Sequence, residues 1–187
     1  MQQSTKKKKF KWLPIFGPNE FKTVEVGETL VMEPKDAIGK ILEIDLGTLT
    51  GDSKRQSMNV ILRITDFKDE KLNTEILGCA LMSSYVRRLT KSTKSKIELS
   101  FPVKTKDQNL RIKPIIILKH KTIRSIQTSI SNKVQELIKE KLSTLDFIQV
   151  LDSVVSLRLQ KELQKELSKI YPIGILLVKS LKIEKKE

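Results

Sequence analysis

The sequence predicts an α+β fold, in which an antiparallel β-barrel carries a C-terminal helical layer and a closing C-terminal strand. Three observations indicate this class. Apolar and polar residues alternate through the first two thirds of the 187 residues, which is the period of half-buried strands. Short strands separated by turns are typical of barrels and sandwiches. After Lys121 the apolar period changes to that of amphipathic helices, and one further apolar strand ends the pattern.

The first strands follow from alternation. Residues 42–46 and 60–64 each place apolar side chains on one face and polar side chains on the other. A weaker run over 72–77 follows the polar residues 69–71, so it is expected to pair with the preceding strand as a hairpin. These segments form the first part of the predicted barrel.

The middle of the chain predicts one helix between strands. Apolar side chains in 81–91 recur at the spacing of a short helix. Alternation returns over 97–103 and 110–119, which are interpreted as strands. The polar residues 106–109 between them predict a hairpin turn, in which Asn109 can adopt a positive φ.

The last third predicts three helices and a strand. Residues 126–142 carry an apolar stripe at helical spacing. A capping-box pattern at 143–146 predicts the start of a second helix, which continues to Val155. A third helix is predicted over 159–170, and Ile173 to Ile183 is expected to close the barrel as a strand.

The chain is predicted to have three parts. They are a basic N-terminal arm (1–19), a β-barrel with one inserted helix (20–123), and a helical layer with the closing strand packed on the barrel (124–187). The arm has too few apolar residues to fold alone, so residues 1–9 are expected to be disordered in the free protein.

The positive charge of the chain is local. The chain has 36 Lys and Arg against 22 Asp and Glu, for a formal net charge of +14. Residues 84–125 hold twelve basic and two acidic side chains, and residues 1–22 hold six and one. Residues 23–83 hold seven basic and eleven acidic side chains. The arm and the central segment therefore account for the excess.

Such uncompensated charge predicts a polyanionic partner. Like charges destabilise a fold unless a polyanion neutralises them, so nucleic acid is the expected partner. For a lysine-rich terminus alone, a solvated surface is the alternative. Lys supplies point charges for phosphates, whereas Arg can direct two donors to one phosphate or stack on a base. The candidate lysines that follow from charge are Lys8, Lys9, Lys11, Lys91, Lys94, Lys96, Lys119 and Lys121.

The aromatic residues of the arm have three possible uses. Phe10, Trp12 and Phe16 lie close to its lysines. They could stack on bases or occupy a groove of another protein, or Trp12 could attach the arm to the barrel. The sequence has no zinc-finger, RNP or GXXG pattern, so recognition of RNA shape and backbone is favoured over reading of bases.

The sequence lacks the parts of an active site. His120 is flanked by lysines, and the single cysteine, Cys79, has no catalytic signature around it, so buried packing is its expected role. One cysteine also indicates a reducing compartment. No phosphate-binding glycine loop occurs, and the acidic cluster at 66–70 lies in a predicted turn. We expect no enzyme activity, no metal and no cofactor.

Ordered landmarks along residues 10–183 resemble one protein family. They are 8–12 (KKFKW), Phe21, 27–29 (GET), 38–39 (IG), 49–52 (LTGD), 87–88 (RR), 105–107 (TKD), Arg111, 113–114 (KP), 124–125 (RS), Gln127 and 170–172 (IYP). In this order and spacing they resemble the archaeal and eukaryotic small-subunit ribosomal proteins of the S-three-a-e (eS-one) type, and an archaeal or reduced form in particular.

The resemblance implies a structural constituent of the small ribosomal subunit, in the cytoplasm. It implies a β-barrel flanked by helices on the subunit platform, near the mRNA exit and the 3′ end of the small rRNA. The implied partners are small-subunit rRNA and neighbouring ribosomal proteins, and contact with mRNA at the exit is left open. The matching positions carried over as rRNA contacts are Arg87, Arg88, Arg111, Lys113 and Arg124, with Trp12 in the arm.

The chain departs from the usual family sequence at two places. The chain has Gly78-Cys79-Ala80-Leu81 where the family usually has Gly-His-Glu-Leu, and Asp107-Gln108 where it has Asp-Gly.

A free barrel that binds single-stranded RNA or DNA outside the ribosome is the first alternative function. A peripheral membrane protein is the second, but its helices would need a basic polar face, and here Lys and Glu are mixed. No apolar run is long enough to span a bilayer.

Overall fold

A computed structural model describes residues 10–18, 24–52, 55–90 and 93–184 of the chain. The chain divides into two compact units, unit 1 (Met1–Leu77) and unit 2 (Gly78–Glu187). Strands and helices together confirm the predicted α+β class. The finer division into arm, barrel and helical layer stays a prediction. The predicted disorder of residues 1–9 falls outside the described residues.

Unit 1 is built mainly from antiparallel strands. Its described elements are β1 (Lys11–Phe16), β2 (Glu25–Val31), a 3-10 turn (Pro34–Ala37), β3 (Ile41–Asp45), α1 (Leu46–Thr50), β4 (Met58–Lys68) and the first part of β5 (Lys71–Leu81). β1 pairs with β2 along its whole length, and β4 pairs with both β3 and β5. β1 also pairs with β5 in parallel, but only at Ile15 and Phe16.

The core of unit 1 lies under β1, β2 and the β4–β5 hairpin. Its buried cluster consists of Leu13, Ile15, Val31, Ala37, Ile64 and Leu72. The hairpin turn is formed by Asp69 and Glu70, whose φ angles of 51° and 59° are both left-handed. Such a turn matches the right-handed twist of the strands it joins. The predicted hairpin is therefore confirmed.

Unit 2 is an antiparallel sheet with helices. Its described elements are the end of β5, α2 (Ser83–Leu89), β6 (Lys96–Glu98), β7 (Phe101–Lys104), β8 (Asn109–Leu118), α3 (Arg124–Ser143), α4 (Phe147–Val155), α5 (Arg158–Leu167) and β9 (Ile173–Ile183). β9 pairs with β8 along its length and with Gly78, Cys79 and Ala80 of β5. β7 and β6 pair with opposite ends of the other edge of β8.

The helices of unit 2 pack on one another and on the sheet. α3 contacts β7, α5 contacts β9, and α5 also contacts α3 and α4. The stripe of α3 is buried at Ile130, Val134, Ile138 and Leu142, as its helical spacing predicts. Burying each such side chain contributes about 1.5–3 kcal/mol. The three predicted helices and the closing strand are confirmed, with small shifts of their ends.

The predicted barrel is not confirmed. Among the described residues of unit 1, the pairing runs β2–β1–β5–β4–β3, and the outer strands β2 and β3 each pair on one side only. In unit 2, β6 and β7 pair only with β8. Neither set of ladders closes on itself, so the described sheet is open. No described helix is long and apolar enough to cross a membrane.

Strands β1 and β2 were not expected from alternation. β1 lies in the segment predicted as an arm that cannot fold alone, and Lys11–Phe16 forms a strand there through its pairing with β2. Pro14 interrupts the strand signal because it has no N–H to donate. The strand tolerates it because β1 is paired along its length with β2 and has almost no partner on its other side.

Two strand boundaries were wrong for local reasons. Leu46 was expected in a strand, but it begins α1, because the Asp45 side chain accepts a hydrogen bond from the Gly47 N–H at 3.0 Å and caps the helix. The predicted strand over 97–103 is two strands, β6 and β7. They are separated where the Leu99 N–H donates to the Pro114 carbonyl at 3.1 Å.

A helix start and a hairpin turn also differ from expectation. α4 is capped by Asp146, whose N–H donates to Gln149 Oε1 at 3.3 Å, whereas the Ser143 hydroxyl donates back to Glu140 at the end of α3. In the turn before β8, Asn109 has no positive φ. The buried Thr105 closes this turn instead, through a hydroxyl that donates to the Gln108 carbonyl at 2.8 Å.

Candidate nucleic-acid interface

Five predicted contacts come together where β8 ends in unit 2. The Ser95 carbonyl accepts from the Leu118 N–H, and the Ser95 hydroxyl accepts from the Thr122 N–H, both at 3.0 Å. Gln127 of α3 donates to the Thr122 carbonyl at 3.1 Å. These bonds hold the loop after β8 beside the chain before β6. The resulting β8-exit surface consists of Lys94, Lys96, Lys119, Lys121 and Arg124.

Most of this surface is open to solvent and uncompensated. Lys94 is half-buried and the other four side chains are exposed. Lys96 pairs with Glu98 at 3.3 Å, and Lys179 pairs with the same carboxylate at 3.6 Å. Burial alone would raise the pKa of Glu98, but these two ammonium groups lower it. The other four cations form no ion pair within the described part of the chain.

The two arginines of α2 lie near this surface along the chain. Arg87 and Arg88 are exposed in the last turn of the helix. The guanidinium of Arg88 lies 5.8 Å from the centre of the Tyr85 ring, which is within cation–π range. Lys94 is six positions after Arg88, so their Cα atoms are at most about 20 Å apart. Both arginines therefore present free guanidinium edges within reach of one RNA segment.

The remaining basic strand residues form a second surface at the start of β8. The cross-strand register places Lys182 directly opposite Arg111 and Ser180 opposite Lys113. With Lys104 of β7 on the same face, these residues form the β8-entry surface, consisting of Lys104, Arg111, Lys113 and Lys182. It lies about 20 Å from the β8-exit surface, because Lys119 is six positions after Lys113 along and just beyond β8.

Arg111 is already partly engaged in this second surface. Its Nε and one terminal nitrogen donate to the same oxygen of Glu184, at 3.0 and 2.6 Å. The carboxylate relieves the repulsion between Arg111 and Lys182, which would otherwise be unfavourable for like charges directly opposite each other. Arg111 thus has fewer donors left for a phosphate than sequence reasoning assumed.

The predicted contacts of the arm are placed in unit 1 or lie outside the described residues. Lys11 and Trp12 are exposed at the start of β1, and the Trp12 side chain is 63% exposed. Lys8, Lys9 and Lys91 fall outside the described ranges, so the structure gives them no position. The structure brings together the basic residues of unit 2 only.

Two basic residues were missed as site candidates. Lys104 and Lys182 are neighbours of Arg111 only through the strand register. The alternation of β9 indicates that Lys182 points outward, but no local signal shows which strand it faces. The register of β8 with β7 and β9 is needed to identify Lys104 and Lys182 as members of the β8-entry surface.

The described residues offer little for catalysis. No three described His, Cys, Asp or Glu side chains are grouped closely enough to hold a metal ion. Cys79 is buried, which confirms its predicted packing role. Burial raises the pKa of its thiol to about 12. A thiol held in its neutral form is a poor nucleophile.

Comparison with known proteins identifies the family. The model of the ribosomal S3Ae family matches residues 2–187, so the chain belongs to this family. Membership makes the chain a ribosomal protein and not an enzyme, and it confirms the resemblance seen in the sequence. The relatives are named small ribosomal subunit protein eS1.

Three archaeal relatives show the extent of the similarity. The protein of Halorubrum lacusprofundi is 28% identical over 175 residues, which cover 93% of this chain and 81% of that protein. The protein of Haloquadratum walsbyi is 26% identical over 182 residues, covering 97% and 86%. The protein of Saccharolobus islandicus is 32% identical over 164 residues, covering 87% and 79%.

Proposed function

We propose that the chain is a structural component of the small ribosomal subunit in the cytoplasm and that it binds small-subunit rRNA. The observation that carries this proposal is the family match over residues 2–187, together with relatives named as small-subunit proteins that match over 81% and 86% of their length. The charge of unit 2 supports RNA as the ligand, because its exposed cations have few internal counter-ions.

The rRNA contacts are assigned to unit 2. The β8-exit surface supplies uncompensated charges for phosphates, and the α2 arginines add forked donors. The β8-entry surface contributes Lys113 and Lys182, with Arg111 sharing its donors with Glu184. Two basic surfaces about 20 Å apart suit two backbone segments better than a single phosphate. Recognition is of backbone and shape, because neither surface carries the aromatic platform that base stacking requires.

The finer placement follows from the family resemblance. It puts the protein on the platform near the mRNA exit, beside other ribosomal proteins and in reach of mRNA. The family resemblance also implies a barrel. Because the described strand ladders do not close on themselves, the barrel remains a proposal.

The test is whether the chain sediments with small subunits. A tagged full-length chain is expressed in cells of its source organism. The ribosomal subunits of these cells are then separated on sucrose gradients at increasing salt concentrations. A structural component stays in the small-subunit fraction at salt concentrations that release loosely bound proteins. A free RNA-binding protein would leave this fraction as salt rises, and that result would contradict the proposal. A density map of the same subunits would then locate the chain.

A further inference from the structure

The carboxylate of Glu98 lies between the two basic surfaces of unit 2. Glu98 of β6 is directly opposite Ile115 of β8 in the strand register. Directly opposite residues share a face of a sheet, and side chains alternate between the faces along a strand. Lys113, two residues before Ile115, and Lys96, two residues before Glu98, therefore lie on this same face. Glu98 is thus placed between Lys96 of the β8-exit surface and Lys113 of the β8-entry surface.

A bulge in β9 brings a third charged side chain to this point. Lys113 of β8 lies opposite Ser180, but the next residue of β8 lies opposite Val178. Lys179 is therefore the extra residue of a β-bulge, which is a feature that can redirect a side chain. β6 and β9 flank β8 on opposite sides, yet the Lys179 ammonium lies 3.6 Å from Glu98 Oε1. The Lys179 side chain thus reaches across β8 to the carboxylate.

Glu98 neutralises part of the charge that two lysines bring to this face. Lys96 Nζ lies 3.3 Å from the same carboxylate oxygen. The side chains of Lys96 and Glu98 are both 40% exposed and that of Lys179 is 42% exposed, so RNA can reach all three. Burial alone would raise the pKa of Glu98, but the two ammonium groups lower it, so the carboxylate is ionised near pH 7.

An attached carboxylate affects RNA differently from a dissolved counter-ion. RNA binding releases dissolved ions from the neutralised charges, but it cannot release a side chain. A phosphate placed between the two surfaces therefore meets the negative charge of Glu98, even after it displaces the carboxylate from the lysines. One RNA backbone that runs from Lys96 to Lys113 encounters this repulsion. Two backbone segments that approach the two surfaces separately avoid it.

We propose that Glu98 determines which kind of RNA unit 2 accepts. Its carboxylate divides the basic face into two sites, so a folded RNA that presents two separate backbone segments is bound in preference to one continuous single strand. Glu98 acts through Lys96 and Lys179 and makes no favourable contact with RNA itself, so it is a specificity-determining residue. This role of Glu98 rests on the proposed binding of rRNA by unit 2.

The experiment compares the full-length parent chain with Glu98→Gln, using two RNA probes with the same number of phosphates. One probe is an oligouridine long enough to reach from Lys119 to Lys113, and the other is an RNA hairpin. Binding is followed by fluorescence anisotropy across a salt series. The parent chain should bind the hairpin more tightly than the oligouridine.

The substitution should act mainly on the single strand. Glu98→Gln frees two ammonium groups, and each single-strand phosphate contact contributes about 0.7 to the slope of log K against log salt. The slope for the oligouridine should therefore steepen by roughly 1.4, and its affinity at low salt should rise. The slope for the hairpin should change much less, because its two backbones do not cross the position of Glu98.

Two further variants serve as controls. Glu162→Gln on α5 removes the same charge but frees no ammonium group, because Lys141 keeps Glu166 as a partner, so both slopes should stay unchanged. Lys179→Gln should hardly change the oligouridine slope in the parent chain, since Glu98 already neutralises this lysine. In the Glu98→Gln background it should lower the slope by about 0.7. A smaller folded fraction would reduce the amount of active protein without producing these slope changes.

The outcomes separate this role of Glu98 from rRNA binding itself. The role would be overturned if the parent chain bound the oligouridine as tightly as the hairpin, or if Glu98→Gln and Glu162→Gln changed the slopes equally. It would also be overturned if Lys179→Gln had the same effect in both backgrounds. A parent chain that bound neither RNA with a salt-dependent affinity would contradict the proposed function, and the role of Glu98 would fall with it.

Discussion

The two units of this chain share a framework of antiparallel strands and differ in charge. Unit 1 has thirteen basic and twelve acidic side chains, whereas unit 2 has twenty-three and ten. The net charge of the protein is therefore a property of unit 2. The same kind of framework can therefore carry two kinds of surface. In this chain, the unit with uncompensated cations is the one assigned to RNA.

The internal ion pairs follow the same contrast. In unit 1, Arg63 pairs with Glu75 and Arg55 pairs with Asp52. Unit 2 also neutralises some cations: Lys141 of α3 lies 3.0 and 2.9 Å from Glu162 and Glu166 of α5. Burial alone would lower the pKa of Lys141, but these two carboxylates raise it. Four of the five cations of the β8-exit surface, namely Lys94, Lys119, Lys121 and Arg124, have no such partner among the described residues.

The largest expected effect is on the salt dependence of RNA binding. Replacing Lys94, Lys119, Lys121 and Arg124 of unit 2 together with Gln should weaken rRNA binding and flatten its dependence on salt. Each lost phosphate contact removes about 0.7–0.9 from the slope of log K against log salt, so four contacts remove roughly three units. The slope is measured by filter binding or anisotropy across a salt series.

A matched variant in unit 1 sharpens the comparison. Replacing Lys35, Lys40, Arg55 and Lys68 with Gln removes the same formal charge from exposed positions. This variant should change the slope by much less than three units. Equal slope changes in the two variants would mean that RNA is bound by diffuse net charge, and the assignment to unit 2 would fail.

The next largest effect concerns the close contact between β5 and β9 in unit 2. A Cβ on Gly78 would lie 2.0 Å from the Leu181 carbonyl oxygen and 2.9 Å from the Lys182 Cα, and the φ of Gly78 is +156°. Both clashes are with backbone, so Gly78→Ala must displace a strand. We expect a loss of about 3 kcal/mol or more in unfolding free energy, measured by urea denaturation.

Gly27 of unit 1 is the control for this substitution. It also lies in a strand, but a Cβ there meets no atom within 4 Å and its φ is not positive. Gly27→Ala should stay within about 0.5 kcal/mol of the parent protein. Similar losses for the two variants would show that the cost belongs to glycine replacement in any strand and not to the approach of β5 and β9.

A smaller effect is expected at Cys79, the neighbour of Gly78 in β5. Cys79→Ser should lower the unfolding free energy by about 1–3 kcal/mol, because it buries a hydroxyl in an apolar site. RNA affinity per folded molecule should not change, since the thiol is buried away from the basic surfaces. Urea denaturation and RNA titration of the same preparations check both statements.

The pH dependence gives an independent check on this site. Burial raises the pKa of Cys79 from 9.0 to about 12, so the folded state keeps its proton in a range where the unfolded state loses it. The contribution of the thiol to stability is present below pH 9 and decreases as the pH rises towards 12. The stability difference between the parent protein and Cys79→Ser should therefore shrink above pH 9. A constant difference would contradict burial of the thiol.

Local pattern predicted most of unit 2 and less of unit 1. The helical stripe of α3 is strong because one face of the helix is buried in the core, and β8 and β9 are marked by long apolar runs, of which residues 114–118 of β8 are all buried. β1 gave no such signal, because Pro14 interrupts it and its outer face keeps Trp12 exposed. Strand identity there depends on pairing with β2, which is a non-local interaction that sequence periodicity does not report.

The sequence predicted which segment carries the basic residues of the candidate site, but not how these residues are arranged in space. The charge of segment 84–125 indicated an RNA surface, but the segment folds so that Arg111 and Lys113 lie at one end of β8 and Lys119 and Lys121 follow the other. The ion pair between Arg111 and Glu184 joins residues far apart in sequence. Which cations are free and which are neutralised depends on strand register, so composition alone could not show it.

We expect RNA to cover the basic surfaces of unit 2 in the assembled subunit. Reductive methylation of lysines, read by mass spectrometry, tests it directly on the free chain and on intact small subunits. Lys94, Lys119 and Lys121 should be strongly protected in the subunit and should regain reactivity after nuclease digestion, whereas Lys35, Lys40 and Lys68 of unit 1 should not gain reactivity from the nuclease. Equal nuclease sensitivity of the two sets, or protection of the unit 2 lysines that survives digestion, would contradict the account.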